Sequence, residues 1–223
     1  MGLIVDQLLR IPAGPCRITV FRTIALTLDG KPAEDFVPDP SYAKRDAGRW
    51  ATPDGTLYTA CTIGVTWNEY CRWSAKDLLC PPDVSGGIPR KMGQQLAYRA
   101  AGPPPPARAL VRLEFDLQRV PDLTLHHVAQ SLLAAQFDVS KLRSDDHDEC
   151  RTLSAVAALL GWDAMVVPSA ATDQAGRCVP VFKAGRGRLI DWEIAASPAS
   201  PTLLHALETR YRQGERPGWL KMT

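Results

Sequence analysis

The sequence lacks the signatures of several large enzyme classes. It contains no G-x-G-x-x-G and no G-x-x-x-x-G-K-[ST], so neither the dinucleotide fold of dehydrogenases nor a P-loop is supported. H-E-x-x-H and G-x-S-x-G are missing too, which removes the zincin metal helix and the nucleophile elbow. An excess of one charge is also lacking. The 26 Lys and Arg stand against 24 Asp and Glu, a net +2, too even a balance for broad nucleic-acid binding. Long apolar runs are absent: 155–167 is broken by Gly161 and Asp163 and falls short of the roughly 20 residues that cross a bilayer, so no membrane span is expected. The start, Met1-Gly2-Leu3-Ile4-Val5-Asp6, has no basic region before an apolar run and carries Asp6 where myristoylation needs Ser or Thr. Neither a signal peptide nor a lipid anchor is expected. The six cysteines (16, 61, 71, 80, 150, 178) show no C-x-x-C spacing, which predicts reduced, mostly buried thiols, no bound metal and a cytoplasmic location.

What is present is ordinary globular material. With 45% hydrophobic and 22% charged residues over 223 positions, one sizeable core and a single domain over 1–223 are expected. Proline, at 19 residues, cuts the chain into short elements. Arg17–Arg22 and Thr56–Ala60 read as strands, and 29–47, with Gly30, Pro32, Pro38 and Pro40, as a long irregular loop able to shape access to a site. Val65, Glu69 and Arg72 or Trp73 sit at helical spacing, predicting a helix over 62–73. Pro103–Pro106 reads as a polyproline turn. Ala109, Val111, Leu113, Phe115 and Leu117 alternate with Arg112, Glu114 and Asp116, the period of a half-buried strand. Acidic residues 145–149 before apolar 153–160 predict a helix that Gly161 stops. Short strands follow at 166–170, 179–183 and 188–194, and a last helix at 202–212. The fold class is therefore mixed α+β, with short-stranded sheets and flanking helices.

Candidate chemistry is scattered. His126 and His127 are adjacent, so on a helix they point about 100° apart and make a poor shared metal site. Arg22 ends an apolar strand, Arg49 lies in Gly48-Arg49-Trp50, Tyr58 follows on a strand and Glu69 on a helix, and Ser169 closes Val166-Val167-Pro168. Each has a plain structural alternative. Arg22 can be a surface ion pair, Tyr58 a core aromatic, Glu69 a solvated helix face and Ser169 a turn residue.

Their order narrows the choice. Phe21-Arg22, Gly48-Arg49-Trp50-x-x-Pro53-x-Gly55-x-Leu57-Tyr58-x-Ala60, Glu69, Val120-Pro121-Asp122-Leu123-Thr124 and Trp162-Asp163-Ala164-Met165-Val166-Val167-Pro168-Ser169-Ala170 together resemble the RES domain, over roughly 15–185. The family's Arg, Glu and Ser match Arg22, Glu69 and Ser169. One position departs: Cys178 stands where the family usually carries Asn. The resemblance implies an ADP-ribosyltransferase-like fold and a bacterial toxin of a toxin–antitoxin pair. Such toxins attack NAD⁺ as substrate, with no retained cofactor, and pass ADP-ribose to water, phosphate or a protein. The implied partner is a helix-turn-helix (Xre-like) antitoxin that covers the active site. The alternative is a catalytically inactive protein that keeps the fold for binding, with Cys178 as its disabling change.

One carboxylate suits this substrate. Nicotinamide leaves NAD⁺ neutral, so no second carboxyl is needed to protonate it, unlike an ordinary glycoside. Glu69 would stabilise the oxocarbenium-like transition state. Arg22 and Arg49 would hold diphosphate or ribose oxygens. Tyr58 would stack on the pyridinium, and Ser169 would make an orienting hydrogen bond near the nicotinamide ribose or amide. Residues 197–223 lie outside the resemblance as a carboxyl-terminal extension.

Overall fold

The period-two alternation of 109–117 forms the longest strand of the computed structural model, which describes residues 8–28, 31–32, 48–70, 108–134, 137–143, 147–171 and 176–196, with Asp6. In chain order the elements are β1 (Gly14–Ala25), β2 (Thr27–Leu28), β3 (Lys31–Pro32), β4 (Leu57–Ala60), helix α1 over 63–70, and β5 (Arg108–Val120). There follow α2 (His126–Ala134), a 3-10 turn (Val139–Arg143), α3 (Asp148–Leu159), β6 (Val167–Pro168), β7 (Arg177–Val181), the single turn α4 (Lys183–Arg186) and β8 (Leu189–Ala196). Six strands form an antiparallel sheet in the order β6-β7-β4-β1-β5-β8, flanked by helices, so the fold is the α+β class expected.

β1 and β5 are the backbone of this sheet. They pair along nearly their whole length, from Gly14↔Val120 to Ala25↔Arg108, which is why β1 runs beyond the expected 17–22. Their alternating residues Val20, Ile24, Val111, Leu113, Phe115 and Leu117 join Val179 and Val181 of β7 in one buried layer. A second layer is built by helix α3 on Leu123, Val128, Trp162, Met165 and Phe182. α3 buries Cys150, Leu153, Ser154 and Ala157, an i, i+3, i+4, i+7 stripe. Asp148 and Glu149 occupy its first turn, where the helix dipole favours negative charge. It ends at Gly161, as expected. Gly161 takes φ 73°, and Trp162 and Gly161 donate their N–H groups to the carbonyls of Ala157 and Ala158, the paired bonds of a Schellman stop.

Two strands end sooner than expected. The strand expected at 179–183 stops at Val181, because the Phe182 N–H bonds the Asp163 carbonyl at 2.8 Å and the chain turns into α4. The strand at 166–170 shrinks to Val167–Pro168, since residues 169–171 leave the sheet to bind a side chain. Of the loop 29–47, Lys31–Pro32 pairs back on Thr27–Leu28; the rest lies outside the described residues, as do residues 71–73, Pro103–Pro106 and the helix expected at 202–212. Cys16, Cys61, Cys150 and Cys178 are thiols, with no disulfide among the described residues.

Candidate active site

A gap in the sheet creates the site. β1 and β4 pair at a single position, Phe21↔Ala60; beyond it residues 22–25 pair only with β5, and 57–59 only with β7. The divergence opens a cavity of about 160 Å³ between Phe21–Thr23 and Tyr58–Ala60, roofed by Thr66, Glu69 and Tyr70 of α1. Those three are i, i+3 and i+4, one face of the helix. The Thr66 hydroxyl bridges the carbonyls of Phe21 (3.2 Å) and Thr62 (2.9 Å), fixing α1 against β1 and aiming Glu69 at the gap.

Glu69 is held by one oxygen. Oε1 accepts the Ser169 hydroxyl (2.6 Å), the Ala170 N–H (3.0 Å), the Ala171 N–H (3.3 Å) and the Cys178 thiol (3.5 Å). Every one of these donors is neutral, and among the described residues Oε2 receives no hydrogen bond. The geometry presents a carboxylate anchored through one oxygen on a residue that lines the cavity. Burial, followed by the neighbouring Glu69 charge, pushes the Cys178 thiol well above its ordinary value, so it stays protonated and donates.

Ser169 differs from its expected position against the ligand. It is fully buried and does not line the cavity; its Oγ accepts the Ala171 N–H at 3.1 Å while donating to Glu69. It therefore sits behind the carboxylate.

Arg49 lines the cavity but is buried, and its Nη1 donates to the Leu142 carbonyl at 2.7 Å, tying the 48–50 segment to the 3-10 turn. Tyr58 presents its ring to the cavity while its hydroxyl accepts the Trp50 N–H at 2.8 Å. Burial raises the phenol above its ordinary value, which keeps it neutral. Gly48, at φ 105°, lies so close that a Cβ there would sit 2.6 Å from the Tyr58 hydroxyl, so both backbone and space require glycine.

Arg22 is half-buried at the split, its guanidinium pushed down to about 10 by burial and by the like charge of Arg108. Arg108, Tyr70 and Thr66 are cavity residues that sequence reasoning missed. Arg108 opens a regular strand and reads there as an ordinary polar end; only its cross-strand register, opposite Ala25, brings it to the cavity. Arg22, Arg49, Tyr58 and Glu69 do line one cavity, as their order implied. His126 is exposed and lies 3.0 Å from Gln130 on α2, away from this site.

Comparisons with known proteins agree with this arrangement. No curated protein matches the sequence. A chain of the M. tuberculosis MbcT–MbcA toxin–antitoxin complex shares the fold, with a TM-score of 0.59 and 18% identity, covering 94% of this chain and 98% of that chain. The RES domain model matches residues 20–199, from the middle of β1 to just past β8. The match takes in the split sheet, Glu69 and its three-donor turn together, and the chain belongs to the RES domain family.

Proposed function

We propose that the protein is the toxin of a bacterial toxin–antitoxin pair and cleaves the nicotinamide–ribose bond of NAD⁺, passing ADP-ribose to water, phosphate or a protein. One observation carries the reading: a carboxylate fixed on Oε1 by neutral donors, with no hydrogen bond to Oε2 among the described residues, lining a cavity that also holds arginine side chains. A carboxylate in an ion pair would have its charge spent. Glu69 keeps its charge for the ligand.

As the N-glycosidic bond breaks, its electron pair leaves with nicotinamide and positive charge develops on the ribose. Oε2 of Glu69 hydrogen-bonds the ribose hydroxyls and stabilises that charge, in a setting where the carboxylate needs no reorganisation. Ser169, Ala170 and Ala171 keep the carboxylate in place; Ser169 acts through Glu69 rather than on substrate. The Tyr58 ring stacks on the pyridinium, a contact worth on the order of 1 kcal/mol. Arg22 takes diphosphate oxygens. Arg49, its Nη1 held by the Leu142 carbonyl, shapes the wall beside the ribose oxygens. With water as acceptor the products are nicotinamide, ADP-ribose and a proton. The cleft is the surface that a helix-turn-helix antitoxin would cover, and the cytoplasm is where NAD⁺ and that partner would meet it.

The non-catalytic alternative makes Cys178 a disabling change. Its thiol instead donates to the same oxygen as Ser169, which favours a working site. The test is to incubate the pure protein with NAD⁺ and quantify released nicotinamide, with Glu69→Gln in parallel. The parent should release nicotinamide and the variant should not; no release from the parent overturns the reading.

A further inference from the structure

Residues 48–51 lie in no helix or strand, yet Gly48, Arg49 and Trp50 make one wall of the cavity. Irregular backbone inside a fold must find its hydrogen bonds largely in side chains. Four such bonds clasp this arch. Two come from just beyond it: the Tyr58 hydroxyl accepts the Trp50 N–H at 2.8 Å, and the Thr56 hydroxyl donates to the Trp50 carbonyl at 2.7 Å. The other two come from α3, 103 positions on, where Arg151 Nε donates to the Gly48 carbonyl and the Ser154 hydroxyl to the Ala51 carbonyl, each at 3.2 Å. Arg151 and Ser154 are i and i+3, one face of that helix. Ser154 is fully buried and is the one hydroxyl in the stripe that α3 packs into the core. Alanine would suit both the helix and the apolar surroundings better. The Ser154 hydroxyl also lies 3.0 Å from the Arg151 carbonyl, but that carbonyl has a partner within the helix in any case. The Ala51 carbonyl has no such ladder to draw on. Neither Ser154 nor Arg151 is among the described residues that line the cavity, so they reach the site only through the arch.

We propose that Ser154 and Arg151 are positioning residues: α3 holds the 48–51 arch as a preformed wall, and substrate affinity depends on a helix that does not touch substrate. A wall that orders only on binding weakens affinity by the entropy of ordering it, whereas one already held does not. Glu69 is anchored separately, by Ser169, Ala170, Ala171 and Cys178, so the bond-breaking step should not feel a loosened arch. The inference rests on the proposed NAD⁺ reading for the identity of the substrate; the hold of α3 on the arch does not depend on it.

The experiment compares the full chain with Ser154→Ala, Arg151→Met and Val156→Ala. Val156 is buried on α3 and has no polar side-chain atom to offer the arch, so Val156→Ala serves as a loss of stability alone. Melting, hydrogen exchange at the Trp50 amide, and kcat and KM for NAD⁺ are measured on each. Ser154→Ala and Val156→Ala should both lower Tm by a few degrees. Ser154→Ala should speed Trp50 exchange beyond what Val156→Ala does, and raise KM about fivefold while kcat stays at the parent value. Arg151→Met, at an exposed position, should show the same split with KM raised about twofold. An equal rise of KM in Val156→Ala, or Trp50 exchange unchanged by Ser154→Ala, overturns the proposal. If Ser154→Ala does not fold, Arg151→Met decides by the same exchange and KM readouts. A parent that releases no nicotinamide removes the cleavage reading, and the dissociation constant of NAD⁺ by calorimetry then stands in for KM. Weaker NAD⁺ binding in Ser154→Ala than in Val156→Ala would still support the positioning role; equal binding, or none to the parent, would overturn it.

Discussion

β1 and β5 carry charged residues both on the side that meets β8 and beside the split from β4, and the two regions treat them in opposite ways. Toward the β8 side, register closes the charges against one another. Arg112 faces Glu193 directly, and Glu114 and Asp191, two acids opposite each other, both turn to Arg112. Arg112 bonds Glu193 and Asp191 and lies 3.4 Å from Glu114, which Arg17 also bonds at 2.7 Å. Toward the split, Arg22 faces Val111 and Arg108 faces Ala25, and Glu69 is held by hydroxyl, thiol and N–H donors. The comparison separates charge that serves the fold from charge kept for a ligand. A ladder of opposite charges is complete in itself. Arg22, Arg108 and Glu69 form no ion pair among the described residues, and a cleft of that kind is completed by something that enters.

The sharpest way to break this contrast is Glu69→Gln. The amide oxygen can still accept from Ser169 and Ala170, so the fold should hold with Tm within a few degrees, while nicotinamide release falls about 100-fold or more. Unchanged turnover would make Glu69 part of the structure, like the ladder. Ser169→Ala comes next. Without its hydroxyl the carboxylate loses its shortest contact but keeps two N–H donors, and kcat should fall about 10- to 100-fold with KM for NAD⁺ unchanged. A rise in KM instead would return Ser169 to the ligand-facing role the sequence suggested.

That expectation about Ser169 shows where sequence reasoning reached and where it stopped. The period-two run of β5 and the Gly161 stop of α3 are local signals, and both elements formed where they were read. Arg22, Glu69 and their cavity were legible through the order of short motifs. The direction of Ser169 was not, because it depends on the turn at 169–171 wrapping Glu69, a residue 100 positions earlier. Arg49 is similar: its partner is the Leu142 carbonyl, 93 residues on, and no local pattern announces it. Arg108 was hidden by its own regularity, since a strand-end arginine reads as solvent-facing until the register with β1 is known. Single turns such as α4 are too short to show a helical period, so 182–183 read as strand.

On the ladder side the expected effects invert. Arg112→Gln removes the cation shared by three carboxylates and leaves them facing one another. Thermal melting should show a Tm lower by about 3–6 °C, while nicotinamide release stays at the parent rate. A loss of activity without a loss of stability would show that the two regions are coupled, and the division drawn above would fail.

The smallest effect is at Glu114, and its sign can be worked out. The Arg17 guanidinium, at 2.7 Å, holds the Glu114 carboxyl below the ordinary glutamate range, with Arg112 adding to it. A carboxyl that binds its proton less readily in the folded chain stabilises the fold above its unfolded value, and that contribution is lost as pH falls through the folded value. Arg17 is largely exposed, so solvent and salt screen the pair. Glu114→Gln should therefore lower Tm by about 2 °C or less at pH 7. The gap to the parent should shrink as pH drops below about 4, because a protonated glutamate and a glutamine then present similar neutral groups to Arg17. In 1 M NaCl the gap should shrink at pH 7 as well. A difference that persists unchanged at pH 3 would mean that Glu114 acts through packing, and the ladder would lose its electrostatic account.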